Sequence, residues 1–193
     1  MKNTAYNVNV SHSSLVQRSQ TYASAKDFCT IFRDDADSLY SLALALTGSH
    51  EAANKVFLAA LDDCRDGSVV FQEWARPWSR RTVIKSAIGL LDPVRSDAGP
   101  ESKSELEAVA SQMHPAASRL FHLSRFERFV FVMSVLEGYT VRECAALLGA
   151  GPREVEQARV HALQQASGKN QNILPGSYVN NSLDAVNSIL SLH

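Results

Sequence analysis

The chain has 193 residues, of which 45% are hydrophobic, and 19 Lys+Arg against 20 Asp+Glu give a formal charge of -1. That length suits one domain or two small ones, and the apolar content excludes a wholly disordered chain. The charge excludes a nucleic-acid binder that works by bulk positive potential: residues 1–100 hold eleven basic and eleven acidic side chains and residues 101–193 eight and nine, so phosphate contacts must come from a local patch or a partner.

Residues 1–23 are polar and unpatterned and read as a flexible N-terminal arm. From Ser24, the residues Phe28, Ile31, Phe32, Leu39, Leu42, Ala43 and Leu46 recur at three- and four-residue spacing, predicting one long helix that Gly48 ends. Ser49 is placed as the N-cap of a second helix, Glu51 to about Cys64, with Val56, Phe57, Ala60 and Leu61 inward. After the turn Asp66-Gly67-Ser68, a third helix is predicted from Val70 to Leu91. Trp74, Trp78, Ile84 and Ile88 lie near one stripe of it, and Arg76, Arg80, Arg81 and Lys85 crowd the other side. Pro77 is expected to kink or split this helix.

Residues 24–92 thus form a first helical module, and the Pro-, Gly- and charge-rich stretch 93–104 reads as a linker. The second module, 105–167, begins with helices at Glu105–Met113 and Pro115–His122 and continues with a strongly apolar one at Ser124–Glu137. Ser124 with Glu127 predicts a capping box. After Gly138-Tyr139-Thr140 come helices at Val141–Leu148 and Pro152–Gln165, and in the tail, 168–193, Leu183, Val186, Ile189 and Leu190 have the spacing of a short amphipathic helix. No strand pattern competes. The expected fold is all-α, two small helical modules joined by a linker.

The three cysteines, Cys29, Cys64 and Cys144, are widely spaced and read as reduced core residues rather than a disulfide or zinc framework. No apolar run approaches the roughly 18 to 20 residues that span a bilayer, and the N-terminus lacks a signal-peptide pattern, so a cytoplasmic protein with no membrane partner is expected. No Ser/His/Asp set, phosphate-binding glycine loop or metal spacing appears, which predicts a protein that is not an enzyme and needs no cofactor.

The most informative spacing is Ala145, Gly149 and Val155. Two helices crossing steeply through a short turn need a small residue at the crossing, a residue tolerant of positive φ in the turn, and a branched apolar lock on the second helix. The same residues would also suit an ordinary helical hairpin.

At this point a resemblance emerges. The stretch from Leu123 through Glu127-Arg128, the apolar run to Val135, Glu137-Gly138 and on to Gly149 resembles region 4 of the extracytoplasmic-function sigma factors. More faintly, Asp37–Gly48, Ala53–Leu61 and Trp78–Ile88 are similar to the helices of that family's region 2. The resemblance implies a transcription factor without enzymatic activity. It would associate with RNA polymerase core, bind promoter DNA through both modules, and answer to an anti-sigma or other regulatory protein.

Carried onto this sequence, the resemblance makes Pro152–Leu163 the recognition helix. Arg153 and Gln157 are placed on the base edges, His161 is on the same helix, and Arg142 on the preceding helix reaches the backbone. In the first module the basic helix, Arg76, Arg80, Arg81 and Lys85, would meet DNA, with Trp74 and Trp78 either stacking on unpaired bases or, the favoured reading, buried in the core. Polymerase docking would fall to Glu51, Asp62 and Asp63, although the chain between Gly48 and Phe57 is about one helical turn shorter than in the family. Over Ser124–Gln165 five arginines are balanced by five glutamates, so Glu154 and Glu156 read either as selective contacts to cytosine or as solvated charges. Two alternatives stay open: a degenerate sigma-like protein-interaction module, and a DNA-binding regulator that works without polymerase.

Overall fold

The computed structural model describes residues 21–67, 69–94, 103–112 and 115–167, and among them the chain is helical with no strand beyond an isolated bridge between Tyr22 and Phe71. The tail helix expected at Leu183–Leu190 and most of the expected arm lie outside the described residues.

The single long helix expected from Ser24 is two helices, α1 (Ala25–Asp34) and α2 (Ala36–Thr47), broken at Asp35, where φ is -106° and ψ 20°. Heptad-like spacing continues through the break, so periodicity alone does not reveal it. The Asp35 carboxylate is held instead by Arg76 from a later helix. Ser24 and Asp27 form a capping box at the start of α1. As expected, Gly48 ends α2 in the left-handed region, with φ 68°. That conformation favours glycine, and an added Cβ would in addition push aside the tip of the Leu106 side chain.

α3 spans His50–Gly67, longer than expected, and α4 spans Ala75–Leu91 after a 3-10 turn at Gln72–Trp74. Pro77 neither kinks nor splits α4. It is the third residue of the helix, in the first turn, where its missing N–H has no intrahelical acceptor to lose. Residues 21–23 are tied to this region, since the Ala23 N–H donates to the Val70 carbonyl and the Gln72 N–H to the Thr21 carbonyl.

The second half opens with α5 (Lys103–Gln112) and the short α6 (Pro115–Ser118), which runs on as a 3-10 turn, Arg119–His122. α7 (Arg125–Phe131) carries the expected Ser124–Glu127 capping box and continues as a π-helical turn, Val132–Leu136. α8 (Val141–Leu148) and α9 (Pro152–Ala166) complete the described chain.

The buried residues of both halves form one cluster, from Phe28, Leu39 and Ile84 to Phe129, Met133 and Val155. Polar clasps reinforce that junction. Arg128 on α7 is fully buried, and its Nε donates to the carbonyl of Leu46 in the last turn of α2 at 3.2 Å. Arg125, one turn earlier, donates to the carbonyl of Leu91 at the end of α4. Guanidinium groups thus satisfy carbonyls that helix ends leave without intrahelical partners, where the helix dipole favours positive charge.

Candidate nucleic-acid interface

α8 begins with a capping box the sequence reading overlooked, Thr140 with Glu143, although a threonine followed three residues later by glutamate is its ordinary signature. It ends at Gly149, whose φ of 68° only glycine adopts without strain. α9 starts three residues later with Pro152 in its first position. Ala145, Cys144 and Leu148 on α8 and Val155, Ala158 and Ala162 on α9 are buried, so the two helices pack through small side chains as the spacing requires. Burial also pushes the Cys144 thiol up to about 11, leaving it a neutral packing residue.

With that stripe inward, the opposite side of α9 faces out. Arg153 and Gln157 are exposed there, as is Arg142 on α8, and none of the three makes a side-chain hydrogen bond or ion pair to a described residue. His161 differs. Its Nδ1 lies 2.5 Å from Glu127 on α7, and its Nε2 lies 3.2 Å from Gln165. The ring is therefore part of the α7–α9 contact. Burial raises the Glu127 carboxyl, but the bonds from Ser124 and His161 outweigh this and hold it below its ordinary value.

The glutamates that neutralise the region's charge have local partners. Glu143 accepts from the Thr140 N–H at 2.8 Å, and Glu154 lies within 3.5 Å of the Gly151 N–H that opens α9. Glu156 pairs loosely with Arg159 at 3.9 Å. The arginines divide in the same way. Arg119 donates to the Ala166 carbonyl at the end of α9, and Arg125 and Arg128 clasp the first half. Arg142 and Arg153 remain open.

The basic helix of the first half has a different environment. Arg76 is paired with Asp35. Arg80 forms a two-pronged pair with Glu137, its Nε 2.8 Å from the carboxylate, and donates to the Ser38 hydroxyl at 2.7 Å. The guanidinium of Arg81 lies 5.8 Å from the centre of the Tyr139 ring. Lys85 alone of the four is exposed without an ion pair to a described residue. The residues just before α8 therefore cover Arg80 and Arg81 of α4.

Trp74 and Trp78 are not core residues, contrary to expectation, being 58% and 36% exposed. Of the expected stripe Ile84 is fully buried and Ile88 packs against the core, and the inward side of α4 is otherwise built from Ala75, Ser79, Thr82, Val83 and Ala87, with both indoles left off it. Cys29 is likewise exposed rather than in the core. Of the residues assigned to docking, Glu51 pairs with Lys55 at 2.6 Å and Asp62 with Arg65 at 3.4 Å, both on the exposed side of α3, where Asp63 also lies.

Among the described residues no helix is long and apolar enough to cross a membrane, and no group of three or more His, Cys, Asp or Glu is placed to hold a metal ion. Comparison with protein families, with curated proteins and with solved structures finds no match.

Proposed function

We propose that this chain is a sigma-like promoter-binding factor in which α8 and α9 form a helix-turn-helix and α9 enters the major groove. One observation carries the reading: the outward face of α9 presents Arg153 and Gln157 with no partner among the described residues, while nearly every other charged side chain of this region has one. Arginine reads guanine and glutamine reads adenine by paired hydrogen bonds, each discriminating by about 1–3 kcal/mol. Arg142, exposed at the start of α8, would supply a phosphate contact. Association with RNA polymerase core belongs to the same proposal, on the strength of the region 4 resemblance from Leu123 to Gly149.

Two open cations make few phosphate contacts, so affinity should be modest and salt-dependent, the logarithm of the binding constant falling by about 0.9 per contact for each unit of log salt. The test joins two measurements on the full chain: co-elution with polymerase core at low salt, and retention of duplexes from a random pool. The reading predicts a complex with core and selective retention that Arg153→Glu reduces at least tenfold. Absence of both overturns it.

A second reading, a sigma-like protein turned interaction module, is favoured by the basic helix. Arg76, Arg80 and Arg81 already engage protein groups, which suits a chain whose two halves stay together. Selective duplex binding without core association would instead support a regulator independent of polymerase.

A further inference from the structure

We infer that Val160 reads the 5-methyl group of a thymine, which gives α9 an apolar contact beyond its arginine and glutamine; the inference rests on the duplex-binding reading above. Val160 is 46% exposed, whereas Val155, Ala158 and Ala162 on the same helix are buried. At 100° per residue, Arg153, Gln157, Val160 and Gln164 fall in one stripe directly opposite that buried one. Val160 is thus the single large apolar side chain in an otherwise polar outward stripe.

Its chemistry and position select the ligand. Valine is stiff at χ1, so its two methyl groups are held in a fixed place above the helix surface and lose little freedom on contact. The core of a protein interface would need several exposed apolar neighbours, and here the exposed side chains one turn away are Glu156, Gln157 and Gln164, while Leu163 packs against the core. A major groove offers the complementary arrangement: hydrogen-bonding edges with one apolar feature, the methyl of thymine. Seven residues separate Arg153 from Val160, about 10.5 Å along the axis at 1.5 Å per residue. That is about three base-pair steps of 3.4 Å, so the thymine should lie about three base pairs from the guanine that Arg153 contacts.

The test starts from the tightest duplex retained from a random pool, with each thymine replaced in turn by deoxyuridine, which removes only the methyl. Replacement at one position, about three base pairs from the base whose identity Arg153→Ala relaxes, should weaken binding about fourfold, the transfer value of one buried methyl-sized group. Val160→Ser should bind the thymine and uracil duplexes equally, at the affinity the unaltered protein has for uracil. Its site is on the surface, and an unchanged melting temperature shows that folding is retained. Indifference of the unaltered protein to every replacement overturns the role of Val160 while leaving duplex binding intact. Failure to retain any duplex overturns the underlying reading, and this inference with it.

Discussion

Two helices carry the charges that a nucleic-acid binder would use, and they stand in opposite conditions. On α4 the cations Arg76, Arg80 and Arg81 are engaged by Asp35, Glu137 and Tyr139, groups drawn from both halves of the chain. On α9 the outward stripe is open, because the nearby glutamates serve helix ends or a neighbouring arginine. A count of charge shows four basic residues on one helix and a neutral second helix, and ranks α4 first. The availability of the side chains reverses that ranking. Binding depends on which donors lack a partner, and not on how many the sequence contains.

The most disruptive way to break this contrast is to remove the clasp that joins the halves. Arg128→Ala would empty a buried site and leave the Leu46 carbonyl without its donor, and should lower stability by about 3 kcal/mol in urea denaturation. Because Arg128 does not touch the outward stripe of α9, the fraction still folded should bind duplex as before. Next is the crossing of α8 and α9. Ala145→Leu would overpack a closely approached site and should cost about 2 kcal/mol. It should also abolish duplex retention by tilting α9 away from its present angle.

Glu137→Gln sharpens the comparison from the other side. The Glu137 side chain is 9% exposed and its partner Arg80 36%, so losing this pair should cost between the exposed and buried limits, about 1–2 kcal/mol by thermal denaturation. Freed from its partner, Arg80 should make α4 a better binder of a single-stranded oligonucleotide, steepening the salt slope by about 0.7. Duplex binding through α9 should be unaffected, and an equal rise in both would show that the two faces are not separate.

The smallest effect concerns the capping boxes. Ser124→Ala should cost about 1 kcal/mol. Burial raises the Glu127 carboxyl but Ser124 and His161 lower it further, so its folded value lies below the unfolded one. Its contribution is therefore complete above the ordinary glutamate value, about 4.3, and fades as pH falls through that value to the lower folded one. Asp27 and Glu143, lowered by their own capping bonds, act in the same sense. A midpoint that rises on acidification through this window would contradict the assignment.

Local signals were legible where a single turn of chain contains its own reason. Gly48 and Gly149 as helix ends, the Ser124–Glu127 box, Pro152 at a helix start, and the buried Ala145 and Val155 all follow from rules spanning a few residues. The Thr140–Glu143 box obeys the same rule. Val160 carries no such local signal, because its exposure depends on how α9 rolls against α7 and α8.

The sequence by itself determined an all-α chain, the ends of most helices and the inward position of Ala145 and Val155, because hydrogen bonding within a helix and apolar periodicity act over short separations. Only the tertiary structure decided the break at Asp35, the harmless place of Pro77, the exposure of Trp74 and Trp78, and the partners of Arg80 and Arg128. Those outcomes depend on residues up to 82 positions apart competing for the same carbonyls, carboxylates and space. No local pattern records which competitor arrives.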